Sequence, residues 1–277
     1  MRMNQETEDA LADAYNAGLD LEKSGDLDGA EKAYRRALEL DSADPAGVSI
    51  RLAAMGRDPS PQKMPDAYMS TLFDQHADVF DKILVDQLGY CVPLLVREAL
   101  RELNLEQFDR LLDLGCGTGL SGVALSDCTS HRTGVDLSEK IVELAFDRQI
   151  YDDLYVGEAV EFLEEFEEDD ESRPTWSLIT ATDVLPYIGN ADPLLAGASD
   201  RLENEGVFAF STETLSEAAS EGEGYKVGDK RRFSHTPAYI AERLASAGFE
   251  VLLEQKITVR LEDGDPVSGQ LVIARKL

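Results

Sequence analysis

The chain has few cysteines and no long apolar run. Its 277 residues include only 3 cysteines, Cys91, Cys116 and Cys128, whose spacing matches neither a disulfide framework nor a metal-ligand motif. No stretch reaches the roughly 18 consecutive apolar residues of a membrane-spanning helix, and the first nine residues contain no apolar run of the secretory type. These absences predict a reduced, cytoplasmic setting, no membrane association and no metal site.

Basic residues are also scarce. The chain holds 26 Lys and Arg against 55 Asp and Glu, which gives a net charge of −29. A nucleic-acid interface neutralises phosphates with Lys and Arg side chains, so this balance predicts that nucleic acid is an unlikely partner. The excess of acid is better explained by solubility.

The first part of the chain predicts a small helical region. Residues 7–42 read as two helices around the turn KSGDLDG, and residues 44–56 as a third. Small and aromatic residues recur at the spacing of a tetratricopeptide repeat, which this segment resembles: Gly18, Ala30, Tyr34 and Ala37. That resemblance implies a surface for a protein partner. Because one repeat cannot bury its own face, a plain helical hairpin packed on the main domain is the alternative.

A linker with three prolines, residues 57–65, follows. We therefore divide the chain into a helical region, residues 1–62, and a main domain, residues 63–277. The main domain begins with two amphipathic helical segments, at about 66–88 and 90–103.

Beyond these helices, short apolar runs alternate with helical ones. Strands are predicted at RLLDLG, RTGVDL, LYVGEA, WSLITATDVL, GVFAFSTE, 250–260 and 268–275. The alternation predicts an α/β domain with a mostly parallel sheet covered by helices on both faces. The last two strands flank the short segment EDGDP, so this pair must be antiparallel.

The stretch LLDLGCGTGLSG, residues 111–122, contains four glycines directly after the first strand. No Gly-Lys-Ser/Thr closes it, so it is not a phosphate loop of the nucleotide-hydrolase type. Residues from Gly117 to Gly122 match G-x-G-x-x-G, and Asp136 ends the next strand, where an acid would bind ribose hydroxyls. A dinucleotide site, and with it an NAD-dependent oxidoreductase, is therefore one interpretation.

The carboxylate of Asp113 favours another ligand. It lies just before the glycines, where it would repel a pyrophosphate and attract a cationic group. S-adenosylmethionine carries an ammonium and a sulfonium that would suit Asp113, and a ribose that would suit Asp136.

The ordered motifs resemble those of class I S-adenosylmethionine-dependent methyltransferases over about residues 66–277. LLDLGCGTG is similar to their first motif, TGVDLS to the second, GEAVEFL to the third and WSLITATDVLPYIGN to the fourth. Glu158 stands where the family more often has aspartate. Together with STLFDQHADVFDKILVDQLGY, the helical region resembles a group of predicted bacterial methyltransferases that carry tetratricopeptide repeats. The resemblance implies a Rossmann-like, seven-stranded sheet with one antiparallel strand, and S-adenosylmethionine as cofactor at the carboxyl ends of the strands.

The resemblance also implies a set of cofactor contacts. These are Asp113, Gly115, Cys116, Gly117, Gly119, Asp136, Leu137, Glu158, Ala159 and Thr182, with Tyr68 and Phe80 from a segment that covers the cofactor. Methyl transfer needs donor and acceptor held in line, and a base only where the acceptor must lose a proton. His235 is the candidate for such a base.

The acceptor pocket is expected beside a basic cluster in YKVGDKRRFSH. Arg231 or Arg232 would bind an anionic group of a small-molecule acceptor, with Tyr239 and Arg260 lining the same pocket. In the alternative, the cluster pairs with neighbouring acids. A protein that only docks partners, with a methyltransferase fold that has lost activity, is the remaining functional alternative.

Overall fold

The structure is a computed structural model that describes residues 5–277, except for the side chain at position 78. Its strands are β1 (Phe108–Leu114), β2 (Thr129–Asp136), β3 (Asp153–Val156), β4 (Trp176–Ala181), β5 (Leu202–Glu213), β6 (Tyr225–Val227), β7 (Phe233–His235), β8 (Phe249–Glu262) and β9 (Asp265–Lys276). Seven of them form one sheet in the order β3-β2-β1-β4-β5-β9-β8. Only β9 runs against its neighbours, because it pairs antiparallel with both β5 and β8. The predicted sheet is confirmed.

The helices are α1 (Gln5–Ser24), α2 (Leu27–Leu40), α3 (Val48–Ala54), α4 (Asp66–His76), α5 (Val92–Glu102), α6 (Leu120–Ala124), α7 (Glu139–Asp147), α8 (Ala159–Glu165), α9 (Asp192–Arg201), α10 (Glu217–Ser220) and α11 (Pro237–Ser246). Within residues 5–277, no helix is long and apolar enough to cross a membrane.

The central strands are buried on both faces of the sheet. Successive residues of β1 point to opposite faces. Leu111 therefore packs against α5 with Val96 and Leu100, whereas Leu112 packs in a separate cluster with Leu194 of α9. Burial on both faces explains why these strands read as continuous apolar runs rather than alternating ones.

The predicted helical hairpin at the start of the chain is present. The ring of Tyr34 in α2 lies on Gly18 of α1, where a Cβ would come within 2.4 Å of the ring. This contact explains the spacing of the small and aromatic residues. Whether the hairpin is a tetratricopeptide repeat stays a prediction.

The third helix, α3, joins the hairpin to the main domain. Ile50 and Ala53 share one buried cluster with Met69 of α4 and with Val227 and Phe233 of β6 and β7. The helical region therefore contacts both the first helix of the main domain and a small two-stranded sheet that the sequence analysis did not predict.

The segment predicted as helical over 66–88 is broken. After α4 it continues as a 3-10 turn, Ala77–Val79, and a π-helix, Lys82–Gln87. The π-helix is closed by bonds such as Leu88 N–H to the Ile83 carbonyl, at 3.0 Å. Apolar periodicity does not distinguish these wider and tighter turns from an α-helix, so the break was not foreseen.

Candidate functional site

The glycine-rich turn joins β1 to α6 with bare backbone. Gly115 and Gly117 have φ of 62° and 55°, in the left-handed region that favours glycine. A Cβ on Gly115 would lie 2.6 Å from Cγ2 of Val184, which follows the neighbouring strand β4. The turn therefore needs glycine both for its conformation and for this close approach.

Asp136 ends β2, next to the turn in the parallel sheet. Its Oδ2 accepts a hydrogen bond from the Gly117 N–H at 3.0 Å, and its Oδ1 accepts one from the Ser138 N–H at 3.0 Å. Burial raises the pKa of Asp136, and these backbone bonds oppose the rise. The carboxylate thus holds the turn in place from the side of the second strand.

Asp113 and Gly119 lie behind the turn, which corrects their expected place on the cofactor surface. Asp113 is fully buried, and its carboxylate accepts hydrogen bonds from Tyr151 at 2.5 Å and Thr180 at 2.7 Å. Burial raises the pKa of Asp113 to about 6. The Tyr151 ring lies against Gly119 and Gly122, where Cβ atoms would come within 3.2 and 2.8 Å of it. Asp113 therefore supports the turn from below, through Tyr151.

A cavity of about 330 Å³ opens in front of the turn, at the carboxyl ends of β1 to β4. The structure brings most of the expected cofactor residues to its wall: Phe80, Gly115, Cys116, Gly117, Asp136, Leu137, Glu158, Ala159 and Thr182. Bare backbone at the end of the first strand and a carboxylate at the end of the second fit the amino-acid and ribose parts of S-adenosylmethionine. The residues present therefore fit this cofactor.

Glu158, which follows β3, also caps a helix. Its Oε2 accepts a hydrogen bond from the Glu161 N–H at 2.8 Å and so caps α8. The other oxygen lies 4.0 Å from Nζ of Lys63. One carboxylate therefore serves as the cap of α8 and also lies on the cavity wall.

The broken segment after the linker covers the cavity. Its apolar side chains form the covering wall: Met69, Leu72, Phe73, Phe80, Ile83 and Leu84. Polar contacts fasten this wall to the main domain, since Asp81 binds both Thr118 of the glycine turn and Arg148. Tyr68 does not reach the cavity, because it packs against Gly47 at the end of the helical region; this corrects the expectation for Tyr68.

Two arginines and two acids meet at the end of the cavity beyond β4 and β5. Arg232 donates to Asp183 Oδ1 and Oδ2 at 2.8 and 2.9 Å, to Glu213 at 2.7 Å and to the Tyr187 hydroxyl at 2.7 Å. Arg260 donates from Nη1 to the same Glu213 oxygen at 2.7 Å. Each nitrogen of Arg232 therefore already has a protein partner. The expected anion site would instead need a donor that is free to bind the anion.

Arg260 differs from Arg232 in one nitrogen. Its side chain is 4% exposed and lines the cavity, yet its Nη2 is buried without a hydrogen-bond partner. The nearest acid to Nη2 is Glu262, at 3.9 Å. A buried donor that stays unpaired costs about 1–3 kcal/mol. Arg260 is therefore the guanidinium of this group that keeps one donor unpaired.

His235 is not on the cavity wall, which corrects its assignment as a candidate base. Nε2 lies 2.9 Å from the Gly189 carbonyl, so it carries the proton, and Nδ1 accepts from the Thr212 hydroxyl at 2.8 Å. The ring is fully buried, and burial lowers the pKa of His235 to about 4. The residue is a neutral structural histidine that ties β7 to the loop after β4.

The residues of the basic cluster do not all lie at the predicted acceptor pocket. Arg231 lies outside the cavity, while Lys226 pairs with Glu221 at 3.1 Å and Lys230 with Asp263 at 2.9 Å. The alternative of pairing with nearby acids therefore holds for the two lysines. Tyr239 is also absent from the wall, because its hydroxyl donates to Asn190 and accepts from the Ala191 N–H.

Several wall residues were missed. Tyr90, Asp183, Val184 and Tyr187 all line the cavity. Asp183 has a positive φ of 60°, a strained conformation of the kind that clusters at functional sites. Its position directly after β4 could have identified it, since ligands of open parallel sheets bind beyond the carboxyl ends of the strands. Tyr90 precedes the sheet by many residues and gave no such signal.

Comparison with known proteins adds the family. A family model described as a methyltransferase domain matches residues 88–254, which is more than half of the chain. A segment of 60 residues is 42% identical to an 18S rRNA (guanine-N(7))-methyltransferase of Arabidopsis thaliana. That segment is 22% of this chain and 20% of the relative, so the chain spans about a fifth of this curated relative's length.

Solved structures share the fold. The magnesium protoporphyrin IX methyltransferase of Synechocystis, with bound S-adenosylhomocysteine (SAH), superposes with a TM-score of 0.55 at 15% identity, over 76% of this chain and 99% of that one. The cyclase SpnF gives a TM-score of 0.57 at 16% identity, over 75% of this chain and 94% of that one. At such identities the likeness shows the fold alone. The match of the family model over more than half of the chain shows that the chain belongs to the methyltransferase-domain family.

Proposed function

We propose that the protein methylates a small-molecule acceptor that carries an anionic group. The observation that carries this proposal is Arg260, which lines the cavity, is buried and has an Nη2 without a hydrogen-bond partner. An anionic group on the acceptor would supply that partner in a charge-assisted bond.

The glycine-turn half of the cavity is assigned to the cofactor. S-adenosylmethionine supplies an activated methyl carbon when bound. The carboxylate of Asp136 would accept the ribose hydroxyls, and the backbone of Gly115 and Gly117 would leave room for the amino-acid part. The covering segment shields this half from water, and holding donor and acceptor in line can supply about 7–11 kcal/mol of the rate enhancement.

The other half is assigned to the acceptor. The two halves of the cavity are in contact, because Val184 packs against Gly115 of the glycine turn. Asp183, next to Val184, binds Arg232 and lies 3.9 Å from Arg260. The wall of the cavity as a whole is largely apolar, and its volume of about 330 Å³ is that of a small-molecule site. These features favour a compact acceptor with an apolar body and one charged end.

An RNA acceptor is the competing proposal. It is supported by the segment that is 42% identical to an rRNA (guanine-N(7))-methyltransferase. The net charge of −29 opposes it, because RNA binding needs neutralisation of phosphates.

The test combines cofactor binding with a search for the acceptor. Calorimetry measures the affinity for SAH. Methyl-labelled S-adenosylmethionine is then incubated with anionic metabolites, neutral metabolites and ribosomal RNA. We expect binding of SAH and label on anionic small molecules only. Label on RNA, or on neutral and anionic metabolites alike, would contradict the proposal.

The assay is repeated with Arg260→Gln and with Arg231→Ala. The second variant is a matched control, because Arg231 belongs to the same half of the protein but lies outside the cavity. We expect only Arg260→Gln to lose efficiency on the acceptor, with the affinity for SAH unchanged.

We further propose that residues 1–62 form a separate helical region that contacts a protein partner, and that residues 63–277 form the catalytic domain. The hairpin's own buried cluster around Tyr34 and Leu52 supports this division.

A further inference from the structure

We infer that the atom methylated by this protein is a carboxylate oxygen of the acceptor, so that the product is a methyl ester. The inference rests on the proposed function and goes further, because it names the reacting group. It depends on two independent observations. The acceptor half of the cavity contains a guanidinium with an unpaired donor, and the carboxylates that line the cavity already have hydrogen-bond or ion-pair partners.

The carboxylates of the cavity wall all have partners. Asp183 receives both of its hydrogen bonds from Arg232, and Asp66 binds Nζ of Lys63 at 2.9 Å. Glu158 caps α8. Asp136 accepts two backbone N–H groups of the turn and the strand end. Hydrogen bonds and ion pairs to the ionised form of a carboxylate weaken it as a base.

The phenols and the thiol of the wall are poor bases. Burial raises the pKa of Tyr90 and of the Cys116 thiol well above their usual values, and raises the pKa of Tyr187 to about 12. His76 lies at the exposed end of α4, where Nδ1 donates to the Leu72 carbonyl at 2.8 Å. Its Nε2 is the one ring nitrogen of the described wall that could accept a proton, and the experiment therefore includes it.

A carboxylate needs no base. Its pKa is about 4.3 in a free side chain, so it is already ionised at neutral pH. One oxygen forms the new bond to the methyl carbon, the carbon–sulfur bond breaks, and its electron pair stays on sulfur and neutralises the sulfonium. The products are a methyl ester and a thioether, and no proton moves. An amine or a hydroxyl would first have to lose a proton.

A neutral ring nitrogen also reacts without a base, but it has no charge for Arg260. The guanidinium selects between the two, because its planar donors pair with a carboxylate. Binding of one carboxylate oxygen at Arg260 would leave the second free to face the glycine-turn half of the cavity. The apolar covering wall then indicates an amphipathic acid.

The experiment uses matched probes with the full-length protein. Octanoate, cinnamate and indoleacetate are compared with octylamine, cinnamyl alcohol and tryptamine, which have similar bodies without the carboxylate, and with guanosine monophosphate. Methyl-tritiated S-adenosylmethionine is the donor. After the reaction, mild alkali releases the methyl group of an ester as volatile tritiated methanol, whereas methyl groups on nitrogen or carbon stay behind.

We expect alkali-labile label from the acids only. We expect Arg260→Gln to raise the KM for the acid by at least about tenfold and to leave the affinity for SAH unchanged. Arg231→Ala should keep the wild-type KM for the acid and the wild-type affinity for SAH. The pH profile of kcat should be flat between about pH 7 and 9 in the wild type and in His76→Gln alike, because no base takes part.

Alkali-stable label on any probe, or a rate that rises with pH and is lost in His76→Gln, would overturn the inference and leave methyl transfer itself intact. Bound SAH without alkali-labile product from any of the acids would also overturn it. Absence of SAH binding would instead refute the assignment of the cavity. If Arg260→Gln does not fold, two measurements on the wild type still decide whether the product is a methyl ester. These are the stability of the label towards alkali and the pH profile of kcat.

Discussion

Ser138 links the covering helix to the strand end that carries Asp136. Its hydroxyl donates a 2.5 Å hydrogen bond to Asp74 in α4, and its backbone N–H donates a 3.0 Å bond to Asp136. The same hydroxyl accepts from the Ile141 N–H and caps α7. One buried serine thus connects the cover of the cavity, the carboxylate assigned to the ribose and the helix that follows it.

Asp74→Ala should loosen the covering segment. Loss of the Ser138 contact removes a bond that holds α4 over the cavity, so we expect SAH to dissociate faster, with a Kd raised by a few-fold, or about 1 kcal/mol. Stopped-flow displacement measures the rate. Asp86→Ala, at an exposed site on the π-helix, is the control. Equal rates in wild type and Asp74→Ala would show that the bond does not restrain the cover.

Asp136→Ala should weaken SAH binding by at least about tenfold, or 1.4 kcal/mol. The carboxylate is expected to hold the ribose hydroxyls, and it also positions Gly117. Isothermal calorimetry measures the affinity, and exposed Asp147→Ala on α7 serves as control. Unchanged affinity in a folded Asp136→Ala protein would place the ribose elsewhere.

Gly115→Ala should abolish measurable SAH binding. The added Cβ would meet Val184 at 2.6 Å, in a residue with a φ of 62°. Gly222→Ala is the matched control, because Gly222 has a φ of 93° but no atom within 4 Å of its Cβ position. Both variants carry left-handed strain, so a loss of affinity confined to Gly115→Ala would isolate the effect of crowding. A thermal melt of each variant confirms that it is folded.

The buried His235 should make the stability of the protein depend on pH. Because burial lowers its pKa to about 4 in the folded state, the unfolded chain takes up a proton below about pH 6.5 that the folded chain resists. The free energy of unfolding should therefore fall as the pH is lowered from about 6.5 to 4, by up to about 3 kcal/mol.

The measurement compares urea unfolding of wild type and His235→Gln across that pH range. The difference between the two isolates His235 from the many acids of the chain. A folded His235→Gln protein should keep its methyl-transfer activity, since the ring lies outside the cavity. A parallel pH dependence in both proteins would mean that His235 is not held neutral.

Removal of residues 1–56 should leave SAH binding in place, because none of these residues lines the cavity. The truncated protein should nevertheless melt earlier, since Met69 and Phe233 lose the cover of Ile50. Ile50→Ala in the full chain should cost about 2–5 kcal/mol. It should also increase amide exchange in α4, unlike Leu52→Ala, whose side chain packs from α3 against the hairpin. Loss of SAH binding on truncation would make the helical region part of the site.

The order of strands and helices was predictable because each signal is local. A buried parallel strand needs a continuous apolar run, a helix needs an apolar stripe, and the turn after β1 needs glycine. The cofactor half of the site follows from the same signals, since the carboxyl ends of adjacent parallel strands must meet. Gly115, Gly117 and Asp136 lie on the cavity wall for this reason, and their contact with the cofactor stays a prediction.

The acceptor half was not predictable in this way. Asp183 follows β4, Glu213 ends β5 and Arg260 lies in β8, and these three meet because of the strand order in the sheet. Arg232 joins them from the residue before β7, which belongs to the separate two-stranded sheet. Sequence proximity to the basic cluster suggested Arg231 and Arg232 alike, but the backbone turns Arg231 outward with a φ of 60°.

The sequence by itself therefore determined the fold and pointed to the cofactor, because a glycine-rich turn and continuous apolar strands act through local geometry. Only the tertiary structure decided which charges face the cavity. Burial keeps His235 neutral, and its place in the fold keeps it off the cavity wall. The packing of the strand ends gives every nitrogen of Arg232 a partner. It left Arg260 with one donor unpaired. Such choices depend on which groups desolvate one another across the sheet, and no short stretch of sequence contains that information.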